Sequence, residues 1–141
     1  MKGQVAVEYI AIVALSLAIL VPVWLYTDQI RAQVDGQLRL GYAQQAVDRL
    51  RDAADLVYAQ GPPAQFYVDV TVPDGVRGVY VNGKLISLSV SASWGVSEAY
   101  ATTVGNVTGS LPSFTAYGGP KRVLVKAQQN YSGFFVNVTE G

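Results

Sequence analysis

The sequence predicts an α+β protein, in which a long N-terminal α-helix precedes a small antiparallel β-sandwich-like domain. Three observations support this prediction. Residues 5–26 form an apolar run, residues 27–60 carry an amphipathic pattern, and the rest alternates between apolar and polar side chains with the period of a strand. We expect the helix to span 4–61 and the β domain to span 62–141.

The composition narrows the class of protein. Of the 141 residues, 50% are hydrophobic and only 14% are charged, and ten basic residues balance ten acidic ones. Histidine and cysteine are absent, which excludes disulfides, thiolate metal sites and nucleophiles that depend on either residue. We therefore expect a protein that is not an enzyme and has no cofactor or metal. Without a basic excess we also expect no nucleic-acid partner.

The apolar run predicts a membrane segment over residues 4–26. Twenty-two helical residues reach about 33 Å, which matches the hydrocarbon thickness of a bilayer. Lys2 precedes the run, Trp24 and Tyr26 close it, and Glu8 is its only charge, so we expect the N-terminus in the cytoplasm. The run is longer than a secretory h-region and no small-residue cleavage site follows it. We therefore expect the segment to stay on the mature protein.

Residues 27–61 are predicted to continue the helix as an amphipathic segment. Ile30, Val34 and Leu38 lie four apart, and a second apolar stripe recurs every three or four residues. That stripe comprises Ala43, Val47, Leu50, Ala54 and Val57.

The ends and the interior of the predicted helix carry further signals. Gly61 and the two prolines after it predict the stop, and Pro22 predicts a local kink. A helix of about 85 Å cannot bury itself on the 78 residues that remain. We therefore expect it to need a membrane and partners.

The remaining residues predict about six short antiparallel strands. Residues 86–94 are the strictest example, because apolar side chains alternate there with four serines. Asn82-Gly83 predicts a type I′ hairpin between two of the strands. Residues 64–141 are expected to fold alone as a soluble unit. The basic pair Lys121-Arg122 is expected to lie on a solvated strand edge.

Glu8 is the residue most informative about function. A carboxylate within an apolar helix costs about 2.5–3.5 kcal/mol on insertion scales, so it normally has a partner. One interpretation places Glu8 near the cytoplasmic surface, where snorkelling lowers this cost. The other pairs it with a cation inside an assembly.

Residues 1–9 read MKGQVAVEY and lead directly into the apolar helix. This start resembles the class III signal peptide of archaeal type IV pilins. Gly3, Gln4, Glu8 and Tyr9 match that pattern position for position, although Ala6 stands where the family often has serine. The resemblance implies that a prepilin peptidase removes residues 1–3 and leaves Gln4 as the first mature residue. The new amine of Gln4 then lies one helical turn from Glu8, so the two can pair and set the axial register of packed helices.

The resemblance also implies a function. The chain is expected to be a structural subunit of a type IV pilus-like surface filament, with helices in the core and β domains outside for adhesion. Its expected partners are further copies of itself, a prepilin peptidase, an assembly ATPase and a membrane platform. The precursor is expected in the cytoplasmic membrane. The alternatives are a non-polymerising, helix-anchored surface protein that binds a ligand, or a minor pilin that initiates or tips the filament.

Three sequons mark candidate sites of N-glycosylation. Asn106, Asn130 and Asn137 each precede a Ser or Thr by two residues, and they are three of the four asparagines in the chain. The alternative is that a surface rich in serine and threonine produces sequons by chance.

Overall fold

A computed structural model describes residues 2–141 and confirms the α+β class. A long N-terminal helix precedes a five-stranded mixed sheet, and a short second helix lies between the third and fourth strands. Met1, the first residue of the expected leader, lies outside the described residues. The elements are α1 (Lys2–Gln60), β1 (Gln65–Val72), β2 (Val76–Ala92), β3 (Gly95–Ser110), α2 (Ser113–Ala116), β4 (Gly119–Asn130) and β5 (Gly133–Glu140).

Helix α1 begins and ends close to the predicted residues. It continues through Pro22 and ends at Gln60. Gly61 follows in the left-handed region with φ of 70°, and its N–H donates to the carbonyl of Val57 at 3.0 Å. Glycine accepts this conformation without a steric penalty, which is why the helix stops there.

The chain forms two compact units, Met1–Val34 and Asp35–Gly141, and the boundary between them lies inside α1. The second half of the helix therefore belongs to the same unit as the strands. Its stripe of small and branched side chains is buried in one core with the sheet, as the periodicity predicted. The buried helical positions are Gly36, Ala43, Ala46, Val47, Leu50, Ala53, Ala54 and Val57.

This shared core gives a physical reason to expect that residues 64–141 do not fold alone, unlike the expectation from the sequence. Val47, Leu50 and Val57 are fully buried against the strands. Without the helix, the apolar face of the sheet would be exposed to water. The buried hydrophobic positions of the strands are Val70, Val72, Val76, Val81, Ile86, Leu88, Val90, Ala99, Ala101, Val107, Val123, Val125, Ala127, Val136 and Val138.

The strands lie in the order β1-β4-β5-β3-β2. Three neighbouring pairs are antiparallel, whereas β3 and β5 are parallel from Val107↔Val136 to Ser110↔Thr139. The strands of residues 2–141 therefore form one mixed sheet. The sequence predicted about six antiparallel strands in a sandwich-like arrangement. The difference arises because alternation shows where strands lie along the chain but not which strands pair.

The predicted reversal at Asn82-Gly83 lies within β2. A straight strand of seventeen residues would span about 55 Å, yet Ser91 N–H donates to the carbonyl of Gly75 at 2.9 Å. The chain therefore turns back on itself inside this element. Gly83 has φ of 65°, but no residue other than glycine in 2–141 has positive φ. The turn is thus not of type I′, which needs positive φ at both central residues.

Candidate assembly and modification sites

The first half of α1 presents an apolar surface on every side. Large hydrophobic side chains between Val5 and Tyr26 are 41–69% exposed. By length and composition, α1 is the one helix of residues 2–141 that is suited to cross a membrane, and none of its apolar window is buried within the chain. The chain thus has a segment compatible with membrane insertion.

The residues of the expected processing and register site lie in the first turns of α1. Gly3 is inside the helix and has no atom within 4 Å of a Cβ added there. Gln4 and Glu8 are four residues apart, so their side chains lie on one face about 6 Å apart along the axis. Glu8 forms no salt bridge among residues 2–141. Its carboxylate is therefore available to a group outside the described chain.

Two aliphatic hydroxyls of this half donate to the backbone of their own helix. Ser16 Oγ donates to the carbonyl of Ile12, and Thr27 Oγ1 donates to that of Val23, both at 2.8 Å. Hydroxyls bonded in this way need no partner in an apolar environment. Glu8 differs from Ser16 and Thr27, because its carboxylate makes no side-chain hydrogen bond or salt bridge within residues 2–141.

A shallow groove of about 330 Å³ runs along the same half of the helix. Its lining is almost entirely apolar and begins at Tyr9, the last residue of the signal-like motif. The lining residues are Tyr9, Ile10, Val13, Ala14 and Leu17. A groove of this shape suits the side chains of another apolar helix or the acyl chains of lipid.

Two of the grooves on the Asp35–Gly141 unit lie beside α1. The first, of about 380 Å³, mixes charged and apolar residues of α1, of the end of β1 and of the segment after it. The second, of about 350 Å³, is mainly apolar and lies between α1 and the edge strand β1. At its rim, Arg49 Nη1 donates to the carbonyl of Asp69 at 3.2 Å. Sequence periodicity gave no sign of either groove, because both form between elements distant in sequence.

The basic pair Lys121-Arg122 does not lie on a solvated edge, so that prediction is wrong. Strand β4 is flanked by β1 and β5, and Lys121 is in register with the buried Val70. Its ammonium is buried, has no hydrogen-bond partner within residues 2–141, and lies 2.9 Å from the centroid of the Tyr117 ring. Strand alternation explains the error, since neighbours in a strand face opposite sides.

Arg122 is exposed and pairs across the strands with Asp69. Its Nε donates to Asp69 Oδ1 at 3.0 Å. This hydrogen bond and the guanidinium charge lower the pKa of the Asp69 carboxyl, and Asp69 in turn raises the pKa of Arg122. Both side chains are largely exposed, so the pair marks a solvated surface of the sheet and contributes little to stability.

The three sequon asparagines lie on three different strands. Asn106 is exposed on β3, Asn130 is exposed at the end of β4, and Asn137 is half-buried in β5. Alternation places Asn106 and Asn137 opposite the buried Val107 and Val136. Both therefore face away from the core shared with α1.

Among residues 2–141, no group of three or more acidic residues lies close enough to hold a metal ion. Comparisons with known proteins gave no further lead: no family profile, curated protein or solved structure matches this chain.

Proposed function

We propose that this chain is a pilin, a structural subunit of an archaeal type IV pilus-like surface filament. In this filament the N-terminal helices form the core and the β domains form the outer, adhesive surface. The signal-like residues Gly3, Gln4, Glu8 and Tyr9 support the proposal through their resemblance to that family.

The observation that carries the proposal is the exposed apolar half of α1. Fully burying one large apolar side chain contributes about 1.5–3 kcal/mol, and this half exposes such side chains on all sides. Lipid can cover them in the precursor, and neighbouring helices can cover them in a polymer. One surface therefore serves first as membrane anchor and then as filament core.

Glu8 gives the proposed polymer its axial register. Removal of residues 1–3 leaves an α-amine on Gln4 that is mostly protonated at neutral pH. In a dry helix bundle this amine pairs with Glu8 of its own or a neighbouring chain. Removing one member of a buried pair costs about 3–5 kcal/mol, because an uncompensated charge remains.

The proposed partners follow from this route of assembly. A prepilin peptidase cuts between Gly3 and Gln4, and a membrane platform driven by a cytoplasmic ATPase extracts the helix from the bilayer. The proposed final location is the cell surface, and the precursor is held in the cytoplasmic membrane.

N-terminal sequencing combined with electron microscopy tests this function. Surface filaments purified from the native cells should contain this chain in repeating copies and should give the sequence QVAVEY. A mature chain that starts at Met1, or after Tyr26, would contradict the pilin proposal.

The same measurement separates the alternatives. A chain found only at filament tips indicates a minor pilin. A processed or unprocessed chain that never forms filaments, yet binds a ligand through the Asp35–Gly141 unit, indicates an anchored binding protein.

A further inference from the structure

We propose that Asn130, at the tip of the β4–β5 hairpin, is the N-glycosylation site of the folded chain, and that Asn106 and Asn137 stay unmodified. The proposal rests on the proposed function in one respect, since the strands must reach the compartment outside the membrane. The three sequons are equivalent as sequence motifs. In the folded sheet they differ in how accessible they are to a transferase.

Asn130 offers its side-chain nitrogen freely. It pairs with Gly133 at the end of the β4–β5 ladder, and Tyr131, between Asn130 and Ser132, is fully exposed. The backbone N–H of Ser132 donates to Asn130 Oδ1 at 2.9 Å. Because this bond engages the amide oxygen, Nδ2 is left to react.

Asn137 lies in the middle of the sheet. Strand β5 has neighbours on both sides, and Asn137 is in register with Lys126 of β4 and Thr108 of β3. A transferase must surround both the asparagine and the hydroxyl residue two positions later. For Asn137 this would require β5 to leave both ladders, and the buried Val136 and Val138 to leave the core.

Asn106 is exposed, but Thr108, the hydroxyl residue of its sequon, is held between two neighbouring strands. Thr108 is in register with Asn82 of β2 on one side and with Asn137 of β5 on the other. Asn106 is two residues before Thr108, or about 7 Å along β3. The sequons of Asn106 and Asn137 thus share one small area of the sheet, and a glycan on either asparagine would obstruct the other.

The proposed modification is the transfer of an oligosaccharide from a lipid phosphate donor. Nδ2 of Asn130 forms a bond to the anomeric carbon of the sugar, and the bond from that carbon to the phosphate oxygen breaks. The lipid phosphate leaves with the bonding electrons, and the amide gives up one proton. No oxidation or reduction is involved.

Glycopeptide mass spectrometry of the full-length protein from its native cells tests the proposal. We expect the glycan mass on the peptide that contains Asn130, and unmodified peptides for Asn106 and Asn137. Asn130→Gln and Ser132→Ala should each abolish the glycan, whereas the matched controls Asn106→Gln and Asn137→Gln should retain it in full.

Other outcomes overturn the proposal. A glycan mainly on Asn106 or Asn137, or equally on all three, would show that modification precedes folding. Digestion of intact cells with an external protease separates this inference from the proposed function. If the external protease cleaves the chain but the chain carries no glycan, the proposed glycosylation site is wrong and the proposed surface location still holds. Chains that are protected and unmodified contradict both.

Discussion

The two halves of α1 have the same secondary structure but bury their side chains differently. Large hydrophobic side chains before Val34 remain at least 41% exposed, whereas Val47, Leu50 and Val57 are fully buried. The first half is apolar all round, so turning it toward the sheet would still leave apolar surface in water. The second half has one apolar stripe and one charged face, the pattern of a helix that packs on its own domain. The burial of the first half must therefore come from outside the chain.

Truncation is expected to have the largest effect. We expect Asp35–Gly141 to fold, and residues 64–141 to remain unfolded or to aggregate. Burial of Val47, Leu50 and Val57 alone contributes about 5–9 kcal/mol at 1.5–3 kcal/mol each. That sum is comparable with the whole stability of a small domain. Circular dichroism and urea unfolding of the two fragments check this.

A cooperative unfolding transition for 64–141 would show that the sheet does not need the helix. Filament formation by Asp35–Gly141 would contradict the assignment of polymerisation to the first half.

Glu8→Gln should have the next largest effect, on assembly. The amine of Gln4 would lose its counter-charge in every subunit, at about 3–5 kcal/mol each before relaxation. A neutral glutamine enters the bilayer more easily than a carboxylate. We expect normal processing and a normal amount of membrane protein, with few or no filaments by electron microscopy.

Ser16→Ala is the matched control for Glu8→Gln, since Ser16 bonds only to its own helix through the carbonyl of Ile12. Its filaments should equal those of the wild type. Wild-type filament abundance in Glu8→Gln would instead make Glu8 an interfacial residue without a role in assembly.

Alanine substitution of two glycines in the second half of α1 should change the free energy of unfolding in opposite directions. A Cβ at Gly36 would lie 2.9 Å from Cζ3 of Trp94, so Gly36→Ala forces the ring to move. We expect this to cost about 1–3 kcal/mol and to outweigh the gain of about 0.5–1 kcal/mol in helix propensity. A Cβ at Gly41 meets nothing within 4 Å, so Gly41→Ala should stabilise by about 0.5–1 kcal/mol through helix propensity. Urea unfolding of the full chain in mild detergent measures both. Equal shifts of the same sign would refute the contact between Trp94 and the helix.

The smallest expected effect is the contribution of the Asp69–Arg122 pair to the pH dependence of stability. Because Arg122 lowers the pKa of Asp69, the pair stabilises the folded chain above the unfolded pKa of about 3.9. This contribution is lost as pH falls through the lower, folded value. The stability difference between wild type and Arg122→Gln should therefore shrink below about pH 4.

Arg77→Gln is the control for the pH experiment, since Arg77 Nε donates to the uncharged Ser91 Oγ. Its difference from wild type should stay constant over the same range. If the stability difference between wild type and Arg122→Gln is also independent of pH, Arg122 does not lower the pKa of Asp69.

Local patterns in the sequence predicted most of the elements. The helix stop at Gly61 and the chain reversal at Asn82-Gly83 follow from turn chemistry, which acts within a few residues. The buried stripe from Ala43 to Val57 follows from helical periodicity. The resemblance to a class III signal also lies in contiguous residues, so it needed no structure.

The prediction for Lys121-Arg122 depended on strand order and was wrong. Lys121 was assigned to an edge, but β4 is an interior strand, because β1 pairs with it on one side and β5 on the other. Likewise, the sequons of Asn106 and Asn137 are 31 residues apart in the sequence, and only the register brings Thr108 beside Asn137.

The sequence by itself determined the α+β class, the apolar all-round helix and the buried stripe, because periodicity and hydrophobicity are local properties. The tertiary structure decided that the second half of α1 is part of the core of the β domain. It also decided which basic residue is buried and which sequon asparagine lies at the tip of a hairpin. The physical reason is that strand pairing joins residues distant in sequence, and their alternation carries no information about which strand lies beside which.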